Sequence, residues 1–277
     1  MARAARRKLR KATRRVKGEP LAPEDWAAFF ELTSGPSAQR FSRLLRALPA
    51  SPRCGICGAP FAGVGAKLVR PLGYRQSRKS PSLCDTCVEA SPPGGMTMET
   101  GVLFADIRGF TSLSERSDPG AVSALLRRFY AAAEDTLFPE AVIDKLIGDE
   151  VMALYLPYGR LLDEAPTVML DHARQLLATI GYGSAPGPFA EVGIGLDYGE
   201  AFVGNVGGGS YSDFTAIGDV VNVAARLQGA AAGGEIIASA RLAKRLTVAP
   251  GEPIELDLKG KAEPVAAYRV AVGWANG

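Results

Sequence analysis

The longest stretch of regular apolar and polar alternation begins near residue 100 and runs to about residue 198. Four short apolar or alternating runs predict strands, in the order VLFADI, AVIDKLI, EVMALYL and AEVGIGLD. Two segments with apolar residues at helical spacing lie between them, DPGAVSALLRRFYAAAEDTLF and APTVMLDHARQLLATI. The resulting order, βαββαβ, predicts a ferredoxin-like α+β core in which an antiparallel sheet carries both helices on one face.

Later segments of the chain are expected to enlarge this core. A helix is predicted at 219–228, and it would flank the sheet. Four further strand-like runs would extend the same sheet, namely EAFVGNV, EIIAS, IELDLKG and AAYRV. The predicted fold is therefore a ferredoxin-like core with an extended antiparallel sheet.

A different organisation is predicted ahead of this domain. After a basic tail at 1–18, the apolar spacing at 19–50 predicts a spacer of two short amphipathic helices separated by a Gly-Pro break. All four cysteines fall in the next segment, 51–90, and the Pro- and Gly-rich sequence SPPGG marks a linker at 91–97. The long domain is then assigned to 98–277.

Charge is distributed unevenly along the chain. Residues 1–17 contain nine Lys or Arg and no acid, so the net charge of +3 comes from this tail and the rest of the chain is acidic. The tail lacks the apolar centre of a secretory signal, and no apolar run is long enough to span a bilayer, which predicts a cytoplasmic protein. A thin apolar stripe would allow the tail weak contact with a membrane surface or a nucleic acid, but a solvated tail is the favoured interpretation.

The cysteines form two pairs. Cys54 and Cys57 are one Cys-x2-Cys pair, Cys84 and Cys87 are the other, and the segment 58–83 separates them. Two such pairs can place four thiolates around one tetrahedral Zn²⁺ with no other ligand, so one structural zinc per chain is predicted. Disulfides are disfavoured because nothing indicates export, whereas an iron–sulfur cluster with the same ligands stays open as the less favoured alternative.

Two groups of polar residues in the long domain suggest chemistry. Asp106 ends the first strand and Asp149 lies at the turn of the next hairpin, and the ferredoxin-like order brings these carboxylates close together. Because neighbouring carboxylates repel, a pair of Mg²⁺ ions held with a triphosphate is expected between them. In the helix at 219–228, Asn222 and Arg226 share one face behind a capping Asp219, an arrangement that suits a ribose and a phosphate.

Five segments together resemble the catalytic domain of the class III nucleotidyl cyclases, the adenylate and guanylate cyclases. In chain order they are VLFADIRGFTSLSE, DKLIGDEVMALY, VGIGLDYGEAFVGNVG, AIGDVVNVAARL and LKGKAEPVAAYRV. The resemblance covers roughly residues 99–272 and is specific, because the five motifs occur in the order of the family. It implies the family's α+β fold and the conversion of ATP to 3′,5′-cyclic AMP and pyrophosphate with two Mg²⁺ or Mn²⁺ ions per site.

The resemblance also implies a role for each matching residue. Asp106 and Asp149 would bind the metal ions, and the turn of Ile107, Gly109 and Phe110 would contact phosphates. The other matching residues would read the base (Lys145 and Thr215), orient the ribose (Asn222), stabilise charge on the α-phosphate (Arg226) and contact the terminal phosphates (Lys259).

Base selectivity follows from the same resemblance. Lys145 favours ATP, because guanylate cyclases of the family typically carry Glu at this position. Thr215 departs from the Asp of many eukaryotic adenylate cyclases, although bacterial relatives with Thr exist, and weakens the assignment slightly. Two other charges of the same hairpin, Asp144 and Glu150, have no assigned role and are expected to face solvent.

A homodimer is implied as well. In this family the metal ligands of a site come from one catalytic domain and the base-reading and transition-state residues from another, and this chain contains both sets. Two other functions fit parts of the sequence. GDEV beside a hairpin is similar to the loop of diguanylate cyclases, but Ile147 replaces the first Gly of that motif. A regulatory module that binds nucleotide, metal or nucleic acid without turnover is the other alternative, and the retained metal carboxylates favour an enzyme.

Overall fold

The structure is a computed structural model that describes residues 36–48, 52–78, 83–90, 94–138, 140–157, 161, 163–208, 211–260 and 263–272. The basic tail and the first helix predicted in the spacer lie outside these residues. The chain divides into two compact units. One comprises the chain up to Met98 together with Phe202–Ile217, and the other comprises Glu99–Pro157, Leu161–Ala201 and the chain from Gly218 onward.

Helices and strands are numbered here in chain order. The described helices are α1 Pro36–Arg46, α2 Gly63–Val69, α3 Asp85–Ala90, α4 Phe110–Arg116, α5 Pro119–Leu137, α6 Ala165–Ile180, α7 Asp219–Ala230 and α8 Ala240–Ala243. The described strands are β1 Gly95–Ile107, β2 Val142–Ile147, β3 Glu150–Tyr155, β4 Val192–Gly208, β5 Tyr211–Ile217, β6 Ile236–Ser239, β7 Gly251–Leu256 and β8 Val265–Val270. A short 3₁₀ turn, Arg70–Leu72, follows α2. None of these helices has the length and apolarity needed to cross a bilayer.

The predicted βαββαβ core is present, as β1, α5, β2, β3, α6 and β4. The sheet has the order β2-β3-β1-β4-β6-β8-β7, with β5 paired to β4. Strand β1 begins at Gly95, inside the segment predicted as a linker. The extension of the sheet is not wholly antiparallel as predicted, because β6 runs parallel to β4. Helix α7 lies between these two strands in the chain, and a crossover helix is what allows a parallel pair to form.

Helices α5 and α6 cover one face of the sheet. Their apolar stripes pack together with the strands in one large core, which includes Phe129, Met169 and Leu103. Helix α5 begins as predicted, since Oδ2 of Asp118 accepts a hydrogen bond from the backbone N–H of Ala121 at 3.1 Å.

Helix α7 covers the other face. Its residues Val223 and Leu227 pack against Ile237 of β6, whereas Ile236 and Ala238 belong to the core under α5 and α6. Because successive residues of a strand point to opposite faces, this alternation places α7 on the opposite side of the sheet from α5 and α6. The predicted flanking helix is therefore confirmed.

Candidate functional site

The two acidic residues of the predicted metal site lie together at one end of β1. The antiparallel register of β1 and β3 pairs Asp106 with Glu150, and Asp149 immediately precedes Glu150 in the β2–β3 turn. The backbone N–H of Ile107 donates to the carbonyl oxygen of Asp149 at 3.3 Å, which ties the turn to the strand end. The two carboxyl groups lie close enough for Asp149 to raise the pKa of Asp106. The convergence predicted from the sequence is confirmed.

Negative charge accumulates at this strand end. Burial and the adjacent Asp149 raise the pKa of Asp106 to about 7, although Arg108 opposes the shift. Burial and Asp149 also raise the pKa of Glu150. This residue is half-buried, which corrects the expectation that it faces solvent. Three carboxyl groups face one guanidinium here, and oxygen donors in this arrangement suit Mg²⁺ or Mn²⁺. The residues present fit the divalent ions that the sequence implied.

Two residues without a predicted role hold Asp106 in place. Nη2 of Arg108 forms an ion pair with Oδ2 of Asp106 at 2.5 Å, and Nε2 of Gln228 donates to the same oxygen at 3.1 Å. Nη1 of Arg108 also donates to the carbonyl oxygens of Gln228 at 3.3 Å and Ala231 at 3.4 Å, at the end of α7. Asp106, the predicted metal ligand, is thus linked to α7. Gln228 lies 122 positions from Asp106, and no sequence signal short of the fold identifies this contact.

We expect the Asp106→Asn protein to be more stable than the parent at pH 8 in buffer free of Mg²⁺ and Mn²⁺. An Asp with a folded-state pKa of about 7 takes up a proton on folding between pH 4 and 7, so its contribution to stability falls as the pH rises through that window. The amide carries no charge, so the difference in Tm between the two proteins should shrink as the pH falls from 8 toward 5. A Tm difference that does not change over this pH range would contradict the raised pKa of Asp106.

Helix α7 carries the second predicted group. Asn222 is exposed and Arg226 is partly exposed on one face, while Val223 and Leu227 are buried on the other. The helix begins differently from the prediction, because Gly218 is its N-cap residue and Asp219 is its first residue. Asp219 does not cap the helix but pairs with Arg241, with Nη1 and Oδ2 at 3.1 Å.

The segment after β7 lies beside Arg226. Lys259 is exposed and follows the buried Leu258. Gly260 has a φ of +78°, and a β-carbon placed on it would lie 3.3 Å from Nη2 of Arg226. The structure therefore brings the predicted phosphate-binding Lys259 into the same neighbourhood of the chain as the predicted transition-state residue Arg226.

The predicted phosphate-contacting turn follows Asp106 directly. Ile107 is buried, Gly109 has a φ of +68° and Phe110 is the first residue of α4, packed against the main core. A residue with a β-carbon would be strained at Gly109, since only glycine adopts this left-handed conformation readily. The turn is thus attached to the core next to Asp106 and Asp149.

The two residues predicted to read the base lie in different units. The backbone of Lys145 pairs with Met152 of β3, and its side chain lies outside the described residues. Thr215 is buried on β5, opposite Gly204 of β4. Asp144 is 2% exposed, which corrects the expectation that it faces solvent. The register of β2 shifts between Ile143 and Lys145, and such a bulge can turn the intervening side chain inward.

The four cysteines form a separate cluster. Their sulfur atoms all lie within 4.8 Å of one another, and Sγ of Cys57 is 3.7 Å from Sγ of Cys84. Backbone N–H groups point at sulfur, from Cys84 to Cys54 Sγ at 3.3 Å and from Cys87 to Cys84 Sγ at 3.4 Å. Burial opposes ionisation of Cys54, but hydrogen bonds among the sulfurs outweigh burial and lower the pKa of Cys54 well below its usual value. The predicted four-sulfur site is present in geometry, and its donors fit a soft metal.

The first cysteine pair is joined to α1. Gly58 has a φ of +71°, and its N–H donates to the carbonyl oxygen of Cys54 at 2.9 Å, closing the loop that carries Cys54 and Cys57. The guanidinium of the neighbouring Arg53 donates to the carbonyl oxygens of Leu45 at 3.2 Å and Leu48 at 2.7 Å. These bonds satisfy carbonyls at and beyond the end of α1, so the predicted second helix of the spacer packs with the cysteine cluster.

A ferredoxin-like sheet with paired carboxylates at the end of its first strand is the architecture of a nucleotide cyclase domain. Residues 95–270 match the family described as the adenylate and guanylate cyclase catalytic domain, and the chain belongs to this family. Domains of this family bind a nucleotide, use divalent metal ions and typically dimerise. The sequence resemblance is thereby confirmed at the level of the family.

Of two curated relatives, one has a stated activity and one is uncharacterised. An adenylate cyclase of Anabaena cylindrica is 33% identical over 193 residues, which cover 63% of this chain and 37% of that protein. An uncharacterised protein of Mycobacterium tuberculosis is 34% identical over 172 residues, with 61% and 40% covered. This chain therefore matches about two fifths of the length of these curated relatives.

Solved structures show the same fold. The guanylyl cyclase Cya2 superimposes with a TM-score of 0.58 at 26% identity and covers 66% of this chain and 96% of its own. The adenylyl cyclase CyaB from P. aeruginosa gives a TM-score of 0.56 at 27% identity and covers 64% and 95%. Because one structure is a guanylyl and the other an adenylyl cyclase, these similarities support a nucleotide cyclase domain and do not choose between ATP and GTP.

Proposed function

We propose that this protein is an adenylate cyclase that converts ATP to 3′,5′-cyclic AMP and pyrophosphate in a homodimer with two equivalent sites. The observation that carries the proposal is the convergence of Asp106 and Asp149 at the end of β1, in a chain that also presents Asn222 and Arg226 on α7. The retained metal carboxylates favour an enzyme over a regulatory module without turnover.

Different residues of the chain would bind the metal ions, the base, the ribose and the phosphates. Asp106 and Asp149 would hold the two ions, and when bound these ions would assist ionisation of the ribose 3′-hydroxyl and offset charge on the phosphates. The remaining residues would bind the adenine (Lys145 and Thr215), orient the ribose (Asn222), stabilise charge on the α-phosphate (Arg226) and bind the other phosphates (Lys259 and the turn of Ile107, Gly109 and Phe110).

Catalysis then rests mainly on positioning and charge. The 3′-hydroxyl attacks the α-phosphorus in line with the departing pyrophosphate, so negative charge grows on the phosphate oxygens. A guanidinium can donate two parallel hydrogen bonds to such oxygens, which suits Arg226 to the transition state. Asn222 is exposed, so its side chain is accessible to a nucleotide or to a partner's site.

Incubation of the purified protein with ATP and Mg²⁺ or Mn²⁺, with products separated by chromatography, tests the proposal. We expect cyclic AMP and pyrophosphate in equal amounts, and cyclic GMP from GTP at a lower rate. Formation of a cyclic dinucleotide from GTP would favour the diguanylate cyclase alternative. A clean preparation that makes no cyclic nucleotide with either metal would favour the regulatory module.

Lys145→Glu should lower kcat/KM for ATP by at least about tenfold and reduce the preference for ATP over GTP. An adenine ring offers different hydrogen-bond partners from guanine at its base edge, so reversing the charge of the reading side chain removes a favourable contact with one base. The ratio of kcat/KM for the two nucleotides measures the effect, with the exposed Lys244→Glu as a control of equal charge change. An unchanged ratio would show that Lys145 does not read the base.

The cysteine cluster is proposed to bind one structural zinc. A tetrahedral site with Zn–S bonds of about 2.3 Å places its sulfurs about 3.8 Å apart, close to the 3.7 Å between Cys57 and Cys84. A polynuclear iron–sulfur cluster has bridging sulfides between its irons, so its cysteine sulfurs stand farther apart. The compact sulfur spacing therefore supports a single ion with four protein ligands and no open position. The cytoplasmic location and the weak contacts of the basic tail remain predictions.

A further inference from the structure

A buried carboxylate on β4 lies outside the proposed metal site. Asp197 has no exposed side-chain surface. Its Oδ1 accepts hydrogen bonds from the backbone N–H of Tyr198 at 2.8 Å and from the Ser239 hydroxyl, and from Nε of Arg241 at 3.2 Å. Its Oδ2 forms an ion pair with Nη2 of Arg241. Every charge-bearing oxygen of this carboxylate is therefore satisfied by a neighbour.

An ion pair with a buried carboxylate contributes little net free energy to the stability of a sheet. Burying the Asp197 carboxylate costs hydration free energy, whereas the Arg241 side chain is 43% exposed and keeps part of its hydration. Well-packed apolar residues in place of a buried ion pair are often as stable or more stable. Stability alone therefore gives little reason to keep Asp197 and Arg241. The directional bonds of this ion pair can instead fix the position of a neighbouring helix or strand.

Arg241 has a third bond that leads to the proposed active site. While Nε and Nη2 face Asp197, Nη1 donates to Oδ2 of Asp219 at 3.1 Å. Asp219 is the first residue of α7. Because the guanidinium is planar and rigid, the two carboxylates cannot move independently while both are bound to it. The hydrogen bonds of Arg241 thereby fix the start of α7 relative to Asp197, a fully buried residue on β4.

The geometry of α7 carries this constraint to the residues with proposed roles. Asn222 and Arg226 follow Asp219 by three and seven positions, so they share the face of the helix that Asp219 occupies. A shift at the first turn would move both side chains relative to the nucleotide. We propose that Arg241 is a positioning residue that sets Asn222 and Arg226 for catalysis by holding Asp219 against Asp197. This inference rests on the proposed cyclase function.

The chain offers a matched control in Arg245. It follows Arg241 by four positions and is exposed to a similar degree, 50% against 43%. Its guanidinium pairs with Glu99 on β1 and not with α7. Replacing Arg245 thus removes one surface ion pair from the same region without touching the link to Asp219.

We expect Arg241→Ala and Asp219→Ala to lower kcat by about tenfold to a hundredfold, because misplacement of catalytic groups by about 1 Å has effects of this size. The KM for ATP should stay within about twofold, since Asn222 and Arg226 are assigned to the reaction more than to ground-state binding. Arg245→Ala should leave both constants unchanged. Asp219→Ala is the second variant in case Arg241→Ala misfolds, because it leaves the ion pair of Asp197 and Arg241 in place. An unchanged kcat for Asp219→Ala would overturn the inference.

Mixing of variants separates positioning from general damage. If Arg241 acts through α7, Arg241→Ala belongs to the same half of the site as Arg226→Ala. Mixed with Asp106→Ala it should recover activity, and mixed with Arg226→Ala it should recover none. Recovery with Arg226→Ala would overturn the inference while leaving the shared site intact, because the mixture of Asp106→Ala and Arg226→Ala tests the shared site separately.

Hydrogen exchange gives a readout that does not depend on turnover. The backbone amides at 220–226 should exchange several-fold faster in Arg241→Ala and Asp219→Ala than in the parent, and at the parent rate in Arg245→Ala. Unchanged protection of these amides in both variants would overturn the inference even for a protein that makes no cyclic AMP. A failure of the proposed cyclase function and a failure of the positioning role can therefore be told apart.

Discussion

Asp106→Ala and Arg226→Ala will each lower cyclic AMP production by at least about 10²- to 10³-fold, as expected when a metal ligand or a charge-stabilising group is lost. An equal mixture of the two proteins will recover about a quarter of the parent activity. In a random mixture half of the dimers contain one copy of each variant. Each of these dimers has one intact site and one site with both defects, which gives the expected quarter.

The mixture discriminates sharply between a shared site and a site within one chain. A site built from a single chain would stay inactive in every mixture, so absence of any recovery would refute the shared-site arrangement. Asp171→Ala is a suitable control, because Asp171 is exposed on α6 and pairs only with Arg174 among the described residues. This control should keep parent activity alone and should not rescue either inactive variant beyond simple addition.

Cys84→Ser will lose its bound metal, falling from about one zinc per chain to near zero, and the cysteine segment will become sensitive to protease. Structural zinc contributes about 10–16 kcal/mol of binding free energy to small domains at pH 7, so one lost ligand removes most of what holds the segment folded. Cys84 is fully buried, and its sulfur accepts from the N–H of Cys87 as well as facing Cys57. Elemental analysis and limited proteolysis measure the two effects.

Thr86→Ala, two positions after Cys84 and within α3, provides the control. Its hydroxyl donates to the carbonyl oxygen of Gly73 at 2.8 Å, so its loss should cost about 1 kcal/mol and leave the zinc content unchanged. If the parent protein contains iron, absorbs visible light and holds less than half a zinc per chain, the cysteines bind an iron–sulfur cluster and not zinc. Full metal content in Cys84→Ser would exclude Cys84 as a ligand.

Much of the fold follows from local patterns that a sequence displays directly. The helices α5 and α6 and strands β1 to β3 follow from apolar periodicity, because an amphipathic segment has only one way to bury its apolar face. The capping of α5 by Asp118 follows from the same local rules. Periodicity does not report strand partners, which is why the parallel pairing of β6 with β4 was not predicted.

The candidate site likewise contains some residues that local patterns predict and others that they do not. Asp106 and Asp149 could be predicted because a short hairpin fixes where its turn lies relative to the neighbouring strand. The buried position of Asp144 could not, because it depends on a bulge in β2. The predicted capping role of Asp219 was wrong, because Gly218 is the N-cap residue and Asp219 pairs with Arg241, 22 positions further along the chain, only in the folded structure.

By itself the sequence determined the family, the order of the elements in the catalytic domain, the four-cysteine group and the convergence of Asp106 and Asp149. These depend on residue type and on spacings within single elements or hairpins. Only the tertiary structure decided that Arg108 and Gln228 hold Asp106, and that Arg241 joins Asp197 to the start of α7. Apart from the pair of Arg108 and Asp106, these contacts join residues 22 to 122 positions apart, and their bonds exist only once the chain has folded.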